Sequence, residues 1–168
     1  MEVNVRPVEK EASHIIENLM QLYLHDFSSF LPSVVPDAEG VFHYPYLPHY
    51  WRDPRRYPFF ILANHQIAGF ALLQLESDPA NHLEQMDMTE FFVLRSYRRQ
   101  QIATRAVRQL WDRFPGRWQI RVMKNNVDAY PFWKKVISAY TSGDFQEAIG
   151  SGAMLDALVF HFESDPAG

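Results

Sequence analysis

Residues 85–123 read QMDMTEFFVLRSYRRQQIATRAVRQLWDRFPGRWQIRVM, and this stretch decides the fold. The run Gln85–Leu94 is β-prone and predicts a strand. From about Gln100 the period changes. Ile102, Ala103, Ala106, Val107, Leu110, Trp111 and Phe114 share one helical face, and Arg105, Arg108, Asp112 and Arg113 share the other. Pro115-Gly116 stops that helix. Beyond it, Trp118, Ile120 and Val122 alternate with Gln119, Arg121 and Met123, the pattern of a further strand.

Val3–Pro7 predicts a short first strand. Ile15, Ile16, Leu19, Leu22, Tyr23 and Phe27 give helical spacing from about Glu9 to Phe27. Residues 31–57 hold most of the prolines and several aromatics, and predict a long ordered loop with one short helix. Pro58–Ala63 and Ile67–Leu75 flank Asn64-His65-Gln66 and predict a hairpin. A helix is expected from about Asp128 to Ala139, with Pro131 in its first turn, and Leu155–Phe162 predicts a closing strand. The order implies an α/β (α+β) fold. Its mixed central sheet has about six or seven strands, with helices on both faces. One domain is expected over residues 1–168.

The 168 residues include 47% apolar and 15% aromatic side chains, enough for a core without metal or disulfide support. The absence of cysteine excludes thiolate catalysis and cysteine–zinc sites. A formal charge of -4 argues against nucleic acid as a partner. The most apolar stretch, Phe59–Leu75, is interrupted by polar residues and falls short of a membrane span of roughly 20 residues. A soluble cytoplasmic protein, monomeric or homodimeric, is the expectation. The seven histidines show no metal-ligand spacing, so no metal is expected.

The 85–123 unit also has chemistry. A helix N-terminus offers free backbone N–H groups and a positive dipole end to a diphosphate, and Arg98 and Arg99 stand at its mouth. The preceding strand can pair with an extended amide. Coenzyme A carries both a pyrophosphate and an amide-bearing arm. On physics alone, an ordinary connection with solvated arginines is the simpler reading.

Two motifs alter the balance. VLRSYRRQQIATRAV resembles the cofactor motif of the GNAT acetyltransferases, V-x-x-x-[YFH]-[QR]-x-x-G-x-[GA], with Val93, Tyr97, Arg98 and Ala103 in step. NVDAYPFWKKV is similar to the next family segment, N-x-x-A-x-x-F-Y-x-K, through Asn126, Ala129, Phe132 and Lys135. The resemblance implies an N-acetyltransferase that uses acetyl-CoA as cosubstrate. It places the cosubstrate on Phe92, Val93, Leu94, Arg95, Arg98, Arg99, Gln101, Ile102, Ala103, Thr104, Arg105 and Ala106, with Asn126 and Trp133. Direct transfer to an amine is the expected mechanism, in keeping with the absence of cysteine, and the acidic residues of the Gln85–Leu94 strand point to a small, cationic acceptor.

The sequence departs from the family at three points. Gln101 stands at the first motif glycine, Trp133 at the usual tyrosine acid, and Arg121 where some members carry a carboxylate base. Asp87 and Glu90 are the candidate bases, each also readable as a solvated strand residue, and Tyr130 is the candidate acid, also readable as packing. Asp87 shares pleat parity with Val93; Glu90 shares it only if a bulge intervenes. Glu84, Asp87 and Glu90 along one strand suggest convergence on an ammonium. His25-Asp26 and the aromatics of Phe42–Trp51 are candidates to line the acceptor side. The alternative is a catalytically weakened GNAT-fold module that binds coenzyme A or a protein partner.

Overall fold

The computed structural model describes residues 1–150 and 156–166. Strand β1 (Val3–Pro7) leads through a short turn into helix α1 (Ser13–Phe27). After the long loop, with one short helical turn at Leu47–Trp51, come β2 (Arg56–Ala63), β3 (Gln66–Ser77) and β4 (Glu84–Val93). Then follow α2 (Ile102–Arg113), β5 (Gly116–Met123), α3 (Ala129–Tyr140), β6 (Phe145–Ile149) and β7 (Ala157–Ser164). The sheet order is β1-β2-β3-β4-β5-β7-β6. Every neighbouring pair is antiparallel except β4 and β5, which run parallel.

The mixed sheet is therefore as expected, with two adjustments. Strand β6 was not anticipated. Only Phe145 of its five residues is half-buried, so it lacks the apolar alternation that marks a strand in sequence. Helix α2 begins at Ile102 because Gln101 has φ 61°, a left-handed conformation that a right-handed helix cannot include. Leu155 of the expected closing strand lies outside the described residues.

One core fills the α2–α3 face of the sheet, where Trp111, Val107, Leu110, Val136 and Ile137 meet Met86, Met88, Trp118 and Ile120. The second lies under α1 and the long loop, where Ile16, Met20, Leu24 and Tyr50 cover Phe60, Phe70, Leu72 and Phe92. Each fully buried large apolar side chain contributes about 1.5–3 kcal/mol. The β2–β3 hairpin turns on Asn64 and His65, both left-handed at φ 47° and 66°. Two left-handed residues are what a two-residue loop needs to match the twist of its strands.

Two irregularities position the site. Gly69 packs so closely on β4 that an added Cβ would stand 2.0 Å from the Phe92 carbonyl oxygen. In β4, Leu72 faces Glu90 and Leu73 faces Met88, leaving Thr89 as an extra residue. This bulge resets the alternation. Asp87 falls on the same face as Glu90 and Phe92, toward α1, opposite the Val93 side chain with which unbroken pleating would group it.

Candidate active site

Strands β4 and β5 pair only at Met86↔Trp118 and Asp87↔Gln119. Beyond those two positions they diverge, and a cavity of about 1310 Å³ occupies the gap. Leu94 N–H bonds back to the Ala68 carbonyl on β3. Strand alternation then directs the backbone groups of Phe91 and Val93 the other way, into the gap. The Val93 carbonyl is indeed met there by Arg98, whose Nε donates to it at 2.9 Å.

The turn between β4 and α2 is built from left-handed residues. Arg99 has φ 60° and Gln101 φ 61°. The helix ladder starts with Arg105 N–H to the Gln101 carbonyl, so the N–H groups of Ile102, Ala103 and Thr104 lie ahead of it. All three residues line the cavity, as do Arg95, Arg98, Arg99 and Gln101. The free N–H groups of a helix N-terminus, a geometry suited to an anion, therefore face the cleft. Arg105 and Ala106 do not line it: the Arg105 guanidinium donates to the Met1 carbonyl, and Ala106 is buried in the core. Leu94 is also off the lining. Arg95 and Arg98 both reach Asp26 at the end of α1, at 2.5 and 2.6 Å, which ties this turn to the opposite wall.

Gln101 is exposed. A non-glycine residue in a left-handed conformation costs about 1–2 kcal/mol; glycine removes that strain but loses part of the gain because its unfolded chain has more entropy to give up. Gln101→Gly is expected to raise stability by about 0.5–1 kcal/mol in a urea melt. It is also expected to tighten coenzyme A binding by calorimetry, by removing a Cβ from the phosphate approach.

Glu90 stands where the cavity meets α1 and the long loop. The Tyr23 hydroxyl donates to its Oε2 in a short hydrogen bond, and the Tyr44 hydroxyl donates to Oε1 at 2.9 Å. Burial lifts its pKa from 4.5 to about 7, outweighing the two tyrosine hydrogen bonds that favour the carboxylate. Burial also raises the pKa of both tyrosines above the usual phenol range, helped by the adjacent carboxylate. They therefore stay protonated donors, and Glu90 is the group that titrates near neutrality.

A family model for the acetyltransferase (GNAT) family matches residues 16–137. The chain belongs to the GNAT acetyltransferase family. The cosubstrate of GNAT enzymes is acetyl-CoA. Among solved structures, an acetyltransferase from Thermus thermophilus superposes with a TM-score of 0.70 at 14% identity, covering 97% of each chain. The ribosomal-protein-alanine N-acetyltransferase of Escherichia coli gives 0.62 at 16% identity, covering 99% of this chain and 97% of that one. The spermidine N-acetyltransferase of Vibrio cholerae, solved with CoA and spermine, gives 0.61 at 13% identity over 96% and 95% of the two chains. No curated protein sequence matches the chain.

Against the GNAT pattern, the remaining candidates separate. Asp87 is fully buried and does not line the cavity. Its Oδ1 accepts from Arg121 Nε at 2.9 Å and Gln119 at 3.0 Å; its Oδ2 accepts from Arg121 at 2.5 Å and Thr89 at 3.0 Å. With every lone pair engaged, it braces Arg121, which does line the cavity. Asp87→Asn removes the buried carboxylate that holds Arg121 through two hydrogen bonds. The expected cost is about 3 kcal/mol in a denaturant melt.

Glu84 pairs with Arg55 at 2.9 Å, so the three strand carboxylates do not converge, and Glu90 alone of them lines the cleft. Tyr130 is not brought to the cleft: its hydroxyl donates to Glu147 at 2.7 Å and its ring stacks on Phe160. Trp133 is buried and lines the cavity edge-on to Phe91, and Asn126 lines it as well. Asp26 and Tyr44 reach the cavity wall, whereas Tyr50 is core and Trp51 donates to the Val8 carbonyl. The roles of Tyr23 and Tyr44 as partners of Glu90 were not foreseen. Tyr23 sits in the apolar stripe of α1, and nothing local in sequence distinguishes a hydroxyl that has a partner from one that does not. Among the described residues no group of acidic or histidine side chains fits a metal ion, and no helix is long and apolar enough to cross a membrane.

Proposed function

We propose that this chain, acting as one domain, transfers the acetyl group of acetyl-CoA by direct attack of an amine, and that the acceptor is small and cationic in its resting form. The observation that carries the reading is Glu90, a half-buried carboxylate with a pKa near 7 at the edge of a cleft fitted for an extended diphosphate ligand. The fit rests on two features: backbone groups of Phe91 and Val93 turned into the β4–β5 gap, and the Ile102–Thr104 N–H groups at the mouth of α2. Those groups would hold the pantetheine arm and the pyrophosphate, with Arg98 or Arg99 adding charge. Bound there, acetyl-CoA supplies the thioester.

Glu90 takes one proton from the acceptor ammonium, leaving a neutral amine. The nitrogen attacks the thioester carbon, a backbone N–H near Val93 stabilises the charge on oxygen, and the C–N bond forms as the C–S bond breaks. The second N–H proton ends on sulfur, giving the free thiol. A thiol with a pKa of about 8.5 is a competent leaving group near neutral pH, so a tyrosine acid at position 133 is dispensable.

Thermal shift with acetyl-CoA, followed by thiol release with a panel of amines, tests the reading. Saturation at 100 times the dissociation constant should stabilise the fold by about 2.7 kcal/mol. Stabilisation without turnover of any amine would favour a binding module instead.

A further inference from the structure

A second recess of about 330 Å³ adjoins the cleft, between α1 and residues 33–46. It shares Tyr23, Phe27, Tyr44, Tyr46 and Glu90 with the main cavity, so Glu90 stands at the junction. The rest of its lining is mostly apolar, including Leu24, Val34, Val35 and Phe42. Among the described lining residues Glu90 is the one carboxylate, and there is no lysine or arginine. His43 is the other titratable group on the wall besides the tyrosines, and it is occupied with Asp37 at 2.6 Å.

The wall is preformed. The Gln21 side chain accepts from Phe42 N–H and donates to the Phe42 carbonyl, both at 2.8 Å, clamping the loop to α1. Asp37 Oδ1 accepts from the N–H groups of Glu39 and Val41, closing the turn that precedes it. A wall fixed in this way selects by shape. Its volume lies at the small end of ligand pockets, which run from about 300 to 1,000 Å³.

Resting on the acetyl-transfer reading above, we propose that the acceptor is a compact primary amine with one charge and an apolar, ring-sized body. The amino group meets Glu90 and the body fills this recess. A polyamine would place its second ammonium against aliphatic and aromatic side chains with no carboxylate on the lining to receive it. An apolar body gains about fourfold in affinity for each methylene buried.

The test is thiol release at saturating acetyl-CoA with 2-phenylethylamine, n-butylamine, spermidine and a short peptide with an apolar N-terminal residue. The expected order of kcat/KM is phenylethylamine, butylamine, spermidine, with at least tenfold between first and last. Val35→Asp places a carboxylate at the exposed rim of the recess, where folding is undisturbed. It should narrow that ratio at least threefold while leaving the acetyl-CoA thermal shift unchanged. Fastest turnover of spermidine or of the peptide overturns the assigned acceptor class and leaves acetyl transfer standing. Acetyl-CoA binding with no thiol release from any amine overturns both.

Discussion

Glu90→Gln slows thiol release at pH 8 by about 10²–10⁴-fold, the range that a positioned general base contributes. The amide has the shape of the carboxylate and can still accept from one tyrosine and donate to the other, so the site keeps its form and loses its base. In the unaltered enzyme kcat/KM should rise with pH through about 7, as Glu90 gives up its proton, and level off above. The variant should lack that limb. Stability should move the other way. Because the folded-state pKa is raised from 4.5 to about 7, the folded protein holds this proton more tightly than the unfolded chain. That stabilisation is complete below about 4.5 and is lost as pH rises through about 7. At pH 8 the charged, half-buried carboxylate is a burden that glutamine does not carry. Each pKa unit is about 1.4 kcal/mol, so the rise from 4.5 to about 7 makes the variant the more stable at pH 8 by on the order of 3 kcal/mol. Equal turnover in the two proteins, or a pH profile without the limb in the unaltered enzyme, removes Glu90 from the role of base.

Gly69→Ala prevents the native sheet from forming. The new methyl group would lie 2.0 Å from the Phe92 carbonyl oxygen and 3.0 Å from Val93 Cα, both backbone atoms on the strand that borders the cleft. No rotamer change relieves such a contact. Strand β3 must move away from β4, and the Leu94-to-Ala68 hydrogen bond, which holds the end of β4, goes with it. The expected loss exceeds about 4 kcal/mol, in the range reserved for overpacked cores and backbone conflicts. Circular dichroism of the purified variant should show a melt far below that of the parent or none at all. A parental melting temperature would mean that the two strands are not packed this closely.

The strand–turn–helix unit was legible because each part is marked locally: a β-prone run, two arginines, a helical apolar stripe and Pro115-Gly116 after it. The Asn64-His65 hairpin was legible for the same reason. The Thr89 bulge was not, because an extra residue in one strand is defined only by its neighbour, and Leu72 and Leu73 lie far away in sequence. Longer separations hid the setting of Glu90, whose partners Tyr23 and Tyr44 are 67 and 46 residues away. The three carboxylates along β4 look convergent in sequence because the counterions come from elsewhere in the chain. Arg55 and Arg121 take two of the three.

The brief pairing of β4 with β5 means that the sheet behaves as a pair of calipers. Past Asp87, no ladder of hydrogen bonds sets the distance between the two arms. What sets it is the bulk wedged between them. Phe91 on one arm meets Trp133 at 5.4 Å between ring centroids and Phe132 at 6.5 Å, and both come from the helix that packs on the other arm. An indole at position 133 is thus a spacer as well as a departure from the family pattern. A smaller side chain at position 133 is expected to bring the jaws together and narrow the cleft.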